Sequence, residues 1–313
     1  MSELALSQIL GARLRLTLAQ MHLPGPLRAA NATLIAWLDS LSVGPALVGP
    51  GQELAAPRLD FEAAITAAFD RLTWRAAGPS ALMIPAMQGF FNQVGADEDA
   101  LARLADLGGR LDPHRLGVWV EASDGDMDGG VDAGWYLPEP LPLDVGLEAA
   151  RALSPENPKL TQLQAWAEAA GAQSCERLGR SVAPGSAFSE IRIVLPGSGV
   201  DEWVLAGVRL MEALRMPALP DDALGALLNA ETGQMLASLW LTATGVAKAG
   251  LLAAAPSLEL TLSLFRLATG ARQPEDYTAL AAWQGNLDVD GPSWIECQQR
   301  AGGFGVELHY HLH

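Results

Sequence analysis

Hydrophobic and polar positions follow two rhythms along this chain, and the rhythm switches several times. Near the carboxyl end, Trp294, Glu296, Gln298 and Arg300 alternate with Ile295, Cys297 and Gln299. After Ala301-Gly302-Gly303, Glu307, His309 and His311 alternate with Val306, Leu308, Tyr310 and Leu312. A period of two on both sides of a glycine turn predicts a β-hairpin with one apolar face and one chemical face.

Similar alternation recurs upstream. It predicts strands from 116 (LGVWVEAS), at 131–137 before Pro138, at 188–196, at 235–245 (MLASLWLTATG) and at 258–265 (LELTLSLF). Leu and Ala at helical spacing predict helices at 3–21 and 26–41, split by Pro24-Gly25-Pro26, and at 79–92, 97–107, 142–154, 157–172, 201–215, 221–230 and 274–283. Residues 57–78 fit either rhythm. Their composition is helical, yet Phe61, Ala63, Ile65 and Ala67 alternate with Glu62, Ala64, Thr66 and Ala68.

Helix pairs thus alternate with strand pairs, the pattern of α/β architecture. A parallel β/α barrel needs one crossover helix between single strands, whereas hairpins imply antiparallel neighbours. The expected fold is one domain over 1–313: a closed antiparallel β-barrel with a polar lumen and an outer ring of helices, closure leaving no exposed edge.

Composition narrows the partners. The chain has 313 residues, 50% of them hydrophobic, and a formal charge of -16. Its lysines are Lys159 and Lys248, so the clustered cations that neutralise nucleic-acid phosphates are missing. No apolar run approaches the roughly 20 residues that cross a bilayer, and no basic segment with a cleavage site opens the chain. A soluble, cytoplasmic protein is expected, with no nucleic-acid or membrane partner. Cys175 and Cys297 read as buried free thiols, too few for a disulfide framework or a zinc cluster. Asp124, Asp126 and Asp128 suggest a calcium loop, but Trp135 stands where the closing bidentate Glu belongs, so a solvated turn is expected. Pro196-Gly197-Ser198-Gly199 lacks the Lys-Ser or Lys-Thr of a phosphate loop. His309, His311 and His313 alternate like metal ligands without an assigned carboxylate, and no metal is expected there.

FEAAITAAFDRLTWR at 61–75, GVWVEASDGDMDGG at 117–130, SLWLTATGVAKAG at 238–250 and WIECQQRAGGFGVELHYH at 294–311 resemble, in order, segments of the ABBA barrel prenyltransferases. Within that family the resemblance is to the enzymes that prenylate cyanobactin peptides. It implies repeated αββα units around a lumen where dimethylallyl diphosphate, accompanied by Mg²⁺, meets a side chain of a cyclic ribosomal peptide. It also reads 57–78 as strands and aligns Glu62 with the general base. A lumenal carboxylate suits that role because capture of an allylic cation releases a proton. Arg75, Lys248 and Arg192 match the cations that hold the diphosphate, whose departure develops negative charge.

The resemblance further implies that Trp240 limits the donor to five carbons, with His309 and His311 lining the prenyl pocket in place of shielding tyrosines. Glu121, Asp132, Glu259 and Glu307 are expected to share the lumen, which would favour a cationic acceptor such as an Arg side chain. The chain departs from the family at 131–138, where Asp132, Gly134, Tyr136 and Pro138 replace basic and His positions. That departure implies an alternative: an inactive barrel that binds a peptide or a small apolar ligand.

Overall fold

The structure, a computed structural model, describes residues 60–68, 71–93, 95–123, 131–182, 188–270 and 277–312. The predicted helices at 3–21 and 26–41, the Asp124–Asp128 loop and His313 lie outside them.

Among the described residues eleven strands run β1 (Asp60–Thr66), β2 (Arg71–Pro79), β3 (Arg115–Ser123), β4 (Val131–Leu137), β5 (Leu141–Pro142), β6 (Ser174–Ser181), β7 (Ser189–Val194), β8 (Met235–Leu241), β9 (Val246–Ala254), β10 (Trp294–Arg300) and β11 (Gly303–Leu312). The sheet order is β4-β3-β2-β1-β11-β10-β9-β8-β7-β6-β5, and every pair is antiparallel. Pairing of β4 with β6, through Gly134↔Ser181 to Leu137↔Leu178, closes the sheet into a barrel. The two-residue β5 stands beside the ring. Between successive hairpins lie α1 (Ser80–Gln93), α2 (Glu98–Leu111), α3 (Leu143–Leu153), α4 (Lys159–Ala170), α5 (Val200–Leu214), α6 (Asp221–Leu228), α7 (Leu258–Thr269) and α8 (Thr278–Leu287).

Period-two patterning sorts every strand between two environments. Outward residues such as Phe61, Ile65, Trp74, Val118, Trp135, Ile191, Leu239 and Leu308 join the helices in one large core. Burying such a side chain contributes roughly 1.5–3 kcal/mol, so a one-residue register slip, which would turn these faces inward, is strongly opposed. Inward residues are mostly polar, interrupted by Leu236 opposite Leu252 and by a small cluster of Ala77, Trp119, Tyr136, Phe188 and Trp240. Two glycines make room for it. Gly117 opposes Tyr136 and Gly134 opposes Trp119 across the β3–β4 ladder. A Cβ at Gly117 would lie 2.2 Å from the Tyr136 ring, and one at Gly134 would lie 2.5 Å from the Trp119 ring.

Several expectations are corrected. Residues 258–265 form α7 rather than a strand: the Ser257 hydroxyl caps the helix by accepting from the Leu260 amide at 3.2 Å, and Leu260, Thr261, Leu264 and Phe265 form its buried face. Leu258, the first residue of the supposed apolar strand face, is 70% exposed. The true partner of β8 is β9. Strand β6 was not expected; its register shifts at a bulge between Cys175 and Arg177, which breaks the alternation. The hairpin reading of 57–78 and the terminal hairpin match β1–β2 and β10–β11. Both cysteines are free and buried. Among the described residues no helix is long and apolar enough to cross a membrane.

Candidate active site

Glu62 projects from β1 into the barrel and is only 4% exposed. Three side chains converge on it. Arg75, its neighbour on β2, donates from Nη1 to Oε1 at 3.0 Å, and Arg177 on β6 reaches across the lumen to donate from Nη2 to Oε2 at 2.7 Å. His309 Nδ1 lies 2.9 Å from Oε1. Burial alone would raise the Glu62 pKa, but Arg177, Arg75 and the His309 hydrogen bond outweigh it and hold the carboxyl well below the usual range.

A second acid completes this cluster. Arg192 donates from Nε to Glu190 Oε1 at 2.9 Å, and Arg75 Nη2 lies 3.6 Å from the same oxygen. Burial opposes the Glu190 charge, yet Arg75, Arg192 and Arg177 hold its pKa down at about 2. Three arginines therefore face two glutamates, a local excess of positive charge. Their donors are not exhausted: Arg75 Nε, Arg177 Nη1 and Arg192 Nη2 are buried without a hydrogen-bond partner. Burial and the proximity of Arg177 both push the Arg192 pKa down, which marks a charge that an incoming anion would stabilise.

His309 links this cluster to another. Its Nε2 lies 3.3 Å from Glu296 Oε2, and because ionised carboxylates only accept, both ring contacts are hydrogen bonds only when the imidazole carries both protons. Lys248 Nζ lies 2.9 Å from Glu296 and 3.8 Å from Glu307, and Arg300 donates to Glu307 at 3.1 Å. The ligand atoms of Glu296, Glu307 and His309 lie within 4.8 Å of one another, a spacing that suits a metal, but the Lys248 ammonium already engages both acids. Beside it, Trp240 stacks on Phe188 at 4.2 Å and 9°, and Phe188 stacks on Trp119 at 5.6 Å. Lys248 and Arg300 lie 4.5 Å and 4.8 Å from the Trp240 ring centre.

Cavities open at both ends of the barrel. One, of about 270 Å³, reaches Glu62, Tyr136, Arg177, Arg192 and His311 from the end where helices join strands. The other, of about 420 Å³, lies at the hairpin-turn end against Arg71, Trp240, Gln298 and Arg300.

The fold then finds its counterparts. No family model matches the chain. A PH domain-containing protein of Dictyostelium discoideum is 30% identical over 256 residues, 80% of this chain and 53% of that protein. The chain thus spans about half the length of this curated relative. The 6-dimethylallyltryptophan synthase from Micromonospora olivasterospora, solved with DMASPP and Trp, superposes with a TM-score of 0.64, at 15% identity and 98% and 97% coverage of the two chains. PriB with product diphosphate gives 0.64 at 13% identity, covering 98% and 96%. NotF with brevianamide F and DMSPP gives 0.64 at 12%, covering 98% and 94%. The fold is that of the ABBA prenyltransferases.

Within this ABBA barrel, Glu62, Arg75 and Arg192 meet in one cluster, as the sequence suggested. Lys248 also faces the lumen but belongs with Glu296 and Glu307. The three expected prenyl-pocket residues are spread apart: His311 lines the first cavity, Trp240 the second, and His309 lies in the ion-pair network between Glu62 and Glu296. Glu259 is exposed on α7, outside the barrel, because residues 258–265 are helical. The other acids do not form an open acidic face. Glu121 accepts from Arg71 at 2.5 Å and Thr73 at 3.0 Å, Glu307 from Arg300, and Asp132 from Ser181 at 2.7 Å. This internal pairing removes the charge argument for a cationic acceptor. It also bears on Mg²⁺: Glu62, Glu190, Glu121, Glu296, Glu307 and Asp132 each have a cationic or hydroxyl partner, and Glu176 at the first cavity stands beside Arg177 and Arg192 rather than beside a second open acid, so these residues do not fit a resident Mg²⁺.

Sequence reasoning missed Arg177, Glu190 and Glu296. The last two sit in the expected inward phase of recognised strands, so alternation alone contained the signal. Arg177 sits beside the β6 bulge, where alternation fails.

Proposed function

We propose that this barrel transfers a dimethylallyl group from its diphosphate to an electron-rich aromatic acceptor. The observation that carries this reading is the convergence of Arg75, Arg177 and Arg192, each with an unpartnered buried N–H, around Glu62 and Glu190. Similarity to barrels solved with dimethylallyl diphosphate analogues and Trp supports it.

In this mechanism the three guanidinium groups hold the diphosphate and stabilise the charge that develops on it as the allylic C–O bond breaks. The diphosphate leaves with the bonding electron pair. The π electrons of the acceptor ring form the new C–C bond, and the proton displaced from that carbon passes to Glu62. Free of ligand, Glu62 is a weak base, because Arg177 and Arg75 stabilise its charge. A bound diphosphate draws on the same guanidinium groups and adds negative charge nearby, and both effects raise the proton affinity of Glu62. Donor binding thereby readies the base. The stacked rings of Trp119, Phe188 and Trp240, with Tyr136, present π faces and edges around the allylic cation.

Incubation with dimethylallyl diphosphate and a panel of free indoles and Trp- or Tyr-containing linear and cyclic peptides, read by mass spectrometry, tests the reading and the peptide form of the acceptor together. Prenylated product is expected. Absence of product with every acceptor, under conditions where the donor binds, ends the transfer reading. It would favour the second one, a barrel that binds without turnover, for which the existing pairing of the lumenal acids with cations is the supporting observation.

A further inference from the structure

Among the described residues, the serine and threonine hydroxyls that are buried are hydrogen-bonded, with one exception. Thr73 donates to Glu121, Ser181 to Asp132 and Thr261 to the Ser257 carbonyl, while Ser154 and Ser189 bond each other at 3.0 Å. Ser238 is 0% exposed, and its Oγ has no hydrogen-bond partner. Burying a hydroxyl unpaired destabilises a fold, so one kept in that state points to a partner that arrives from outside the chain.

The strand register fixes its surroundings. On β8, Ser238 lies opposite Arg192 of β7 and opposite Gly250 of β9, and directly paired residues share a face, so the hydroxyl lies on the lumenal side. It stands one inward position deeper than Leu236, which lines the first cavity together with Glu62, Arg177 and Arg192. On the β7 side its neighbour is a guanidinium whose Nη2 is also buried and open. On the β9 side there is no side chain. Glu296 leans over that gap from β10, since a Cβ added at Gly250 would lie 2.7 Å from its Oε1. Lys248 and His309 hold this carboxylate, and Ser238 makes no hydrogen bond to it. Ser238 and Arg192 thus form a pair of open donors on adjacent strands.

We infer that Ser238 is a further ligand of the diphosphate, its hydroxyl donating to an oxygen of the phosphoryl group that Arg192 holds. The inference rests on the reading of the arginine cluster as the donor site. It extends that site from β2, β6 and β7 onto β8 and adds a neutral donor to three charged ones. A buried water between Ser238 and Glu296 is the competing occupant, and it predicts a diphosphate affinity that ignores the hydroxyl.

Two signs separate a ligand from a structural group. Ser238→Ala removes an unpaired hydroxyl, so the ligand-free variant should melt about 1–3 °C above the wild type. In calorimetry the same variant should bind inorganic diphosphate about tenfold more weakly, the scale of one hydrogen bond to a charged oxygen. Ser238→Thr, which restores the hydroxyl, should recover part of that loss. Ser189→Ala is the matched control: this serine is equally buried but bonded to Ser154, so its loss should lower the melting temperature and leave diphosphate affinity unchanged. If Ser238→Ala binds diphosphate as the wild type does, the inference is overturned while the donor reading stands, and a water at Ser238 accounts for the hydroxyl. A lower melting temperature of ligand-free Ser238→Ala also overturns it, because the hydroxyl would then be satisfied without a ligand. If the wild type binds no diphosphate, the donor reading falls and the role of Ser238 falls with it.

Discussion

Arg177 Nη2 lies 2.7 Å from Glu62 Oε2, joining residues 115 positions apart across the barrel lumen. Neither group is an ordinary surface ion: Glu62 is 5% exposed and Arg177 is 13% exposed at the side chain. A buried carboxylate without a cation is costly, and a buried cation without an anion is equally so. The pair therefore holds both in place, and it also sets how basic Glu62 is before a ligand arrives.

Replacing Glu62 by Gln should separate binding from chemistry. The amide keeps the shape of the side chain but cannot take a proton at the acceptor, so turnover is expected to fall by about 10²–10⁴. Inorganic diphosphate should bind the variant as well as or better than the wild type, since one negative charge leaves the arginine cluster. Parallel measurement of kcat and of diphosphate affinity checks this. Loss of both together would assign Glu62 a structural role only.

Arg177→Gln should weaken diphosphate binding about 10–100-fold, equivalent to about 1.4–2.8 kcal/mol. Arg103→Gln on α2, whose guanidinium caps the Ala152 carbonyl on the outer helices, is the matched control and should leave affinity unchanged. Calorimetric titration with inorganic diphosphate reads the difference, and equal affinities in the two variants would remove Arg177 from the donor site.

The acid limb of stability should report Glu190. Its folded pKa, held at about 2 against an ordinary 4.5, is depressed, so its stabilising contribution is fully present above about pH 4.5 and is lost as pH falls toward about 2. The depression of about 2.5 units corresponds to about 3 kcal/mol at 1.36 kcal/mol per unit. Glu62 adds to the same limb. Urea unfolding at a series of pH values should show this slope in the wild type and a shallower one in Glu190→Gln.

His311 works in the opposite part of the scale. Burial pushes its pKa down from 6.5, despite the favourable charge of Glu62, so the unfolded chain binds its proton first and stability declines as pH falls below about 6.5. His311→Asn should remove that shallow decline and leave the steeper acid limb in place.

Chelation should leave the donor site intact. With Glu62 and Glu190 already paired to arginines, diphosphate affinity is expected to agree within about twofold in EDTA and in excess Mg²⁺, a difference below about 0.5 kcal/mol. A strong Mg²⁺ requirement in calorimetry would show instead that diphosphate oxygens recruit the ion, and would restore the expectation drawn from the family resemblance.

Much of the architecture is legible in the amino-acid sequence because its cause is local. Alternation in β1, β3, β7, β8, β10 and β11 assigns each side chain to the core or the lumen before any partner is known. Arg192 and His309 were recognisable on the chemical face for that reason, whereas Glu62, Arg75 and Lys248 were singled out by the family resemblance, because 57–78 fits either rhythm and β9 was not expected. Where two periodicities overlap, local evidence fails: the leucines of 258–265 suit a strand face and a helix face alike, and the Ser257 cap together with the packing of Leu260, Leu264 and Phe265 selects the helix. Strand β6 is obscured by its bulge and by Arg180, which turns outward to bind the Leu153 carbonyl at the end of α3.

The sequence by itself determined which faces are apolar, that the strands come in hairpins, and that carboxylates and guanidinium groups share one interior. Only the tertiary structure decided who pairs with whom. Pairing across the lumen depends on closure between β4 and β6 and on the stagger of the strands, which no local pattern encodes. That closure brings Arg177 to Glu62 and Ser181 to Asp132, while neighbouring strands pair Arg71 with Glu121 and Arg300 with Glu307. Charge along a chain is a list of residues, whereas charge in a cavity is what remains after neighbours distant in sequence have paired.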